Sequence, residues 1–187
     1  MCNVVSWGML PGEKSLSFPC DVIPGTFDGT YFRGITIHAD PSIIFQWLTQ
    51  MRVAPYSYDW INNLGRTSPR YFLKSQPELQ IGQTMMYIFE IVQFRAPFEL
   101  TLRVKPLSFG KWLFGDILLS YLIVPSAAGS SRLLVKIFRK FDHGPLGLFM
   151  RYFLPWANLI MHRKQLILFK DLSEAEILKQ NPVSLVS

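Results

Sequence analysis

The chain has 187 residues, 49% of them apolar and only 17% charged, with two cysteines and a formal net charge of +6. That length suits one domain with its own core; the apolar content excludes intrinsic disorder, and two cysteines exclude a disulfide framework. The charge, 19 Lys+Arg against 13 Asp+Glu, is scattered along the chain, which argues for a solvated positive surface and against a nucleic-acid groove.

A membrane span needs about 20 consecutive apolar residues. Trp112 to Ala128 is broken by Gly115, Asp116, Ser120, Pro125 and Ser126, and Leu146 to Phe169 by Arg151, Pro155 and the His162-Arg163-Lys164 triplet. Met1 to Pro11 lacks the basic start and apolar run of a signal peptide. A soluble cytoplasmic protein is expected, with membrane contact at most peripheral. Its surplus apolar residues then fill a large core, a cavity or a sticky face.

Residues 1–29, with Pro11, Gly12, Pro19, Pro24 and Gly25 and no sustained periodicity, read as an extended N-terminal arm. Residues 30–180 read as one domain and 181–187 as a frayed C-terminus. Thr30 to His38 alternates as a strand, with Ile35 and Ile37 on one face. Asp40-Pro41-Ser42 is a helix start, because Asp40 caps free N–H groups and Pro41 loses nothing at the first helical position. Ile43, Ile44, Trp47, Leu48 and Met51 then form one apolar stripe. A second short helix is expected from Ser57 to Gly65, with Asp59 in its first turn.

From Gly82 the period becomes two. Met85, Tyr87, Phe89 and Ile91 share one face of a strand. Phe98, Leu100, Leu102 and Val104 alternate with Glu99, Thr101, Arg103 and Lys105. Phe114 to Pro125 reads as a more deeply buried strand. Leu133, Val135 and Ile137 follow on one face of the next. The connections of 3–8 residues favour antiparallel neighbours. After Gly147 comes a long helix that is greasy nearly all round, which Pro155 should kink or restart. Strands in a run with segregated helices define an α+β fold: a curved antiparallel sheet wrapped over a long C-terminal helix, with two short helices after the first strand.

The stretch Ala39-Asp40-Pro41-Ser42-Ile43-Ile44-Phe45-Gln46-Trp47-Leu48 after a strand resembles the first strand and helix of the SRPBCC, or START-like, superfamily, which includes polyketide cyclase-like and lipid-transfer domains. The run from Arg52 to Arg66, with Tyr56-Ser57-Tyr58-Asp59-Trp60, is similar to a stretch of its uncharacterised bacterial members, as is Met161-His162-Arg163-Lys164-Gln165-Leu166. The resemblance covers about residues 30–172. It implies a helix-grip fold whose sheet and C-terminal helix enclose a deep hydrophobic cavity. It supplies no reaction, since members range from carriers to cyclases.

No metal site or cofactor is expected. His38, His143 and His162 are far apart and lack ligand spacing, and each reads as a surface or cap residue. There are no Rieske-type ligands, no G-x-S-x-G elbow and no phosphate-cradling Gly-Lys-Ser/Thr motif.

Three features bear on chemistry. Asp59, between Tyr58 and Trp60, either favours its helix N-terminus or stands desolvated against aromatic walls as a proton-transfer group. Arg139 points inward if the phase of Leu133, Val135 and Ile137 persists, and it then needs a carboxylate such as Asp116 or Glu90, or a ligand's acidic group. The aromatics Tyr87, Phe89, Phe98, Phe114, Phe149, Tyr152, Phe153 and Trp156, with Leu100, either line a pocket or pack as ordinary core. The leading expectation is a binding or carrier domain for a hydrophobic small molecule or lipid, one that carries an anionic group facing Arg139. The alternatives are a cyclase- or dehydratase-like enzyme using Asp59 or a tyrosine, and a protein-interaction module using the apolar C-terminal helix.

Overall fold

The computed structural model describes residues 4–53, 56, 69–73, 78–108, 111, 115–126, 129–140 and 145–180, without the side chains of 145–152, 154 and 180. Among the described residues, the strands are β1 (Ser6–Trp7), β2 (Gly29–Ile37), β3 (Thr84–Met85), β4 (Phe89–Arg95), β5 (Glu99–Val104), β6 (Asp116–Pro125) and β7 (Ser131–Lys140), and the α-helices with described bounds are α1 (Pro41–Thr49) and α2 (Pro145–Gln180). The strands form one open sheet in the order β1-β2-β7-β6-β5-β4-β3. β1 runs parallel to β2, and every other pair is antiparallel.

Alternation assigns each strand residue to one of two faces. On the inner face, Tyr31 and Ile37 of β2 join Leu133, Val135 and Ile137 of β7. Ile117, Leu119, Tyr121 and Ile123 of β6 continue that face, followed by Leu100, Leu102 and Val104 of β5. Both helices pack here. Asp40 caps α1 as its sequence predicts: the Ser42 backbone N–H donates to Asp40 Oδ1 at 2.9 Å, with Pro41 in the first turn. Ile43, Ile44, Trp47, Leu48 and Met51 are all buried. From α2, Leu159, Leu166, Phe169 and Leu172 complete the layer.

Of the kink or restart expected at Pro155, the restart does not occur, and one further local expectation needs correction. The helix continues from Pro145 to Gln180, because proline removes one N–H while the helix's packing spans many turns. Nor is Met85 to Ile91 one strand. Met86 and Tyr87 adopt left-handed backbone, φ 46° and 66°, so β3 turns back onto β4 and Tyr87 swings out to solvent, 56% exposed. The second short helix expected from Ser57 lies outside the described residues.

The outer face is covered by the N-terminal arm. Phe18 and Cys20, around a 3₁₀ turn at Pro19–Val22, are buried against Leu118 and Leu134, with Phe32 and Phe138 at the margin. The arm crosses β2 at Gly8, whose φ is +70°; a Cβ there would lie 2.0 Å from the Gly34 carbonyl oxygen, so only glycine permits the approach. Arg132 then grips Glu13 in a two-pronged pair, Nε to Oε1 at 2.7 Å and Nη2 to Oε2 at 2.8 Å. Lys136 bonds Asp21 and stands over the rings of Phe18, Phe32 and Phe138, 4.9–5.5 Å from their centroids.

Candidate functional site

The phase that buries Leu133, Val135 and Ile137 persists to the end of β7 and carries Arg139 onto the inner face, 1% exposed. The same rule on β2 carries Arg33 there, fully buried. Between them stands Tyr31, opposite Ile137. Arg33 Cζ lies 6.0 Å from the Tyr31 ring centroid. Arg33 Nη1 donates to the Phe32 carbonyl at 2.7 Å and the Val5 carbonyl at 3.2 Å, which ties it to the β1 edge. Burial pushes the Arg139 guanidinium down to about 10, with Tyr31 acting in the opposite sense, so it stays cationic at neutral pH.

His162 of α2 faces this pair. Burial, then Arg33, and with them Arg139, push its pKa down to about 4, against a hydrogen bond with Gln165 that favours the charged form. The imidazole is therefore neutral at pH 7. Its Nδ1 is buried with no hydrogen-bond partner among the described residues. Beside it, the Tyr121 hydroxyl donates to Gln165 Oε1 at 2.9 Å, and Gln165 Nε2 lies 3.5 Å from Met51 Sδ. Burial raises the Tyr121 hydroxyl well above its usual range. Two cations, a neutral imidazole, a phenol and an amide thus line one apolar wall between the sheet and α2.

Gln50 organises the far end of α1. Its Nε2 donates to the Tyr56 hydroxyl at 2.7 Å and the Tyr71 carbonyl at 3.3 Å, and its Oε1 accepts from the Leu73 N–H at 2.7 Å. Trp47 lies between Phe72, with centroids 4.3 Å apart, and Tyr56 at 6.0 Å. Segments distant in sequence are tied there to the inner core.

The sequence-derived candidates divide. Leu100 is buried on the inner face and Phe89 packs half-buried against the same core. Phe98 is half-buried just ahead of β5. Asp116 and Glu90, considered as partners for Arg139, stand on the outer face, because Asp116 pairs in register with Lys140 and Glu90 with Arg103, not with inward residues. Asp116 instead accepts from Arg103 Nη2 at 2.7 Å. Tyr87, Phe153 and Trp156 are exposed. Asp59, Tyr58, Trp60, Phe114 and His143, and the side chains of Phe149 and Tyr152, lie outside the described residues. His38 is exposed at the end of β2 as expected, whereas His162, expected on the surface, turns inward. Arg33 was open to discovery: the alternation of Ile35 and Ile37, carried back one more step, lands on it.

No family model and no curated protein matches the chain. Solved structures do. A hypothetical protein of Helicobacter pylori aligns over 84% of this chain and 95% of its own, with 14% identity and a TM-score of 0.55. A protein of Chromobacterium violaceum aligns over 78% and 96%, with 12% identity and a TM-score of 0.48. The di-domain ARO/CYC StfQ of the steffimycin biosynthetic pathway aligns over 79% of this chain but 51% of its own, with 9% identity and a TM-score of 0.49. At such identities the likeness is one of fold. An open sheet gripping a long C-terminal helix, with α1 inserted after its first long strand, is a helix-grip fold.

Proposed function

We propose that this protein is a binding or carrier domain for a hydrophobic small molecule that bears an anionic group. The observation that carries the reading is the placement of Arg33 and Arg139, both buried, on either side of Tyr31 in an otherwise apolar wall. Guanidinium donors in a low-dielectric setting give short, charge-assisted bonds to a carboxylate or phosphate. The rest of such a ligand would gain affinity by burying apolar surface, about 25 cal/mol per Å² before the costs of association. A neutral His162 adds no charge to the wall at pH 7. Tyr121, its proton held by burial and donated to Gln165, serves as a fixed donor and not as a base. The alternative of a cyclase- or dehydratase-like enzyme using Asp59 falls on a residue outside those described.

Native mass spectrometry of protein taken directly from cells should retain a lipid-like mass. A titration comparing a long-chain fatty acid with the alcohol of equal length should favour the acid about tenfold or more. Arg139→Gln should abolish that preference while leaving alcohol binding in place. Protein that emerges empty and binds acid and alcohol equally weakly would refute the reading.

A further inference from the structure

We propose that the exposed face of α2 between Phe153 and Ile167 docks on the surface of a bilayer containing anionic lipid. Phe153, Trp156 and Ile160 are 57%, 55% and 52% exposed, and Ile167 is exposed as well. At about 100° per residue these four positions fall within about 60° of arc, so they make one stripe. Arg163 and Lys164, both exposed, flank that stripe on opposite edges by the same geometry. The helix sequence holds no acidic residue before Asp171.

That arrangement suits an interface between oil and anionic headgroups. Apolar side chains, a tryptophan among them, enter the boundary region, while a cation on each side reaches phosphate. Arg163 already leans on an aromatic surface, its Cζ 5.6 Å from the Trp7 ring centroid, which holds the guanidinium beside the stripe. Lys170, further along α2, pairs with Glu174 at 3.5 Å, so the charge beside the stripe is that of Arg163 and Lys164 in a helix with no acid before Asp171, and charge complementarity selects an anionic surface as the occupant. Contact is peripheral: no helix among the described residues is long and apolar enough to cross a membrane. The docking does not depend on a ligand at the inner face.

Co-sedimentation of the full chain with phosphatidylcholine vesicles and with phosphatidylcholine/phosphatidylglycerol vesicles tests this. Binding should favour the anionic vesicles about tenfold or more and should weaken with salt. Trp156→Ser should lose most of the binding to anionic vesicles. The double variant Arg163→Glu/Lys164→Glu should lose the anionic preference. Both change exposed residues, and circular dichroism confirms that the variants fold. Absence of vesicle binding, or binding indifferent to these variants, would overturn the proposal. So would concentration-dependent self-association that Trp156→Ser abolishes in a chain that ignores vesicles, since the stripe would then belong to a second copy.

Discussion

On the outer face of the sheet, Arg132 meets Glu13, Lys136 meets Asp21 and Arg103 meets Asp116. On the inner face, Arg33 and Arg139 flank Tyr31 beneath a neutral imidazole, among inward residues of β5 to β7 that are mostly apolar, with Tyr121 and Ser131 polar. A buried cation is costly wherever it lies, yet the two faces answer that cost with different chemistry. Outside, carboxylates from the arm and from β6 complete the charges, and the result is adhesion: the arm is held down. Inside, Arg33 donates to the Phe32 and Val5 carbonyls and stands 6.0 Å from the Tyr31 ring centroid, and we assign that setting to recognising an anion. One sheet thus separates a face built for holding from a face we assign to binding.

The largest expected effect tests the holding side. Phe18 is 1% exposed beneath the arm, and Phe18→Ala should cost about 3–5 kcal/mol in urea-induced unfolding. Cys20 supplies a second readout. Burial and the adjacent Asp21 push its thiol up to about 11, so in a Cys2→Ser background it should resist a thiol reagent until the arm opens. Phe18→Ala should speed that labelling many-fold. If Cys20 labels rapidly in the parent chain, the arm is not the cover described above.

Next comes the inner face and its pH dependence. His162 binds its proton at about 4 in the folded chain and near 6.5 when unfolded. Between those values the unfolded state holds more protons, so stability is complete above about pH 6.5 and falls as the solution is acidified toward pH 4. The loss is at most about 3 kcal/mol. Glu13 and Asp116 are each held below the ordinary carboxylate value. Burial alone would raise both, but hydrogen bonds and charge from Arg132 and Arg103 outweigh it, so their contribution disappears only below the ordinary carboxylate range. His162→Gln should therefore flatten the stability profile between pH 6.5 and 4.5 and leave the steeper acid limb. An unchanged slope in that window would remove His162 from the inner cluster.

Breaking one outer pair should cost less. Glu13→Gln leaves Arg132 with its bonds to Thr36 Oγ1 and the Gly8 carbonyl, at 2.9 and 2.8 Å. The expected loss is about 1–2 kcal/mol, together with faster Cys20 labelling. A loss of stability without faster labelling would mean that the pair braces the sheet and not the arm.

How much of this was legible in the sequence follows from the range of each interaction. The α1 cap and stripe were readable because Asp40, Pro41 and the i, i+3, i+4 spacing act within a few residues. The period-two strands β5 and β7, and with them the burial of Arg139, were readable for the same reason. The arm was not. Its glycines and prolines gave no period, and Phe18 and Cys20 find their partners 98 or more positions away on β6 and β7. The turn at Met86 and Tyr87 was hidden because neither residue is a usual left-handed former, and the turn is held by the Met86 N–H donating to the Met51 carbonyl at 3.0 Å. Trp156 and Phe153 read as pocket lining because helical spacing marks a stripe without saying which stripe meets the sheet. Arg33 required only that one rule be carried two residues further back.

The smallest expected effect separates the two faces most cleanly. Asp40 accepts from both the Ser42 N–H, at 2.9 Å, and the Ser42 hydroxyl, at 2.7 Å. Those bonds hold its carboxyl below the usual range. Asp40→Ala should cost about 1 kcal/mol by leaving the first turn of α1 uncapped, and Asp40→Asn should recover most of that. The carboxylate's contribution is present above the unfolded aspartate pKa and vanishes as the pH falls through the lowered folded value, so wild type and Asp40→Ala should converge in acid. Because α1 packs only on the inner face, the variant should leave Cys20 labelling under native conditions unchanged. Faster labelling in Asp40→Ala would show that the inner helix and the outer arm open together, and the two faces would then be one cooperative unit instead of two.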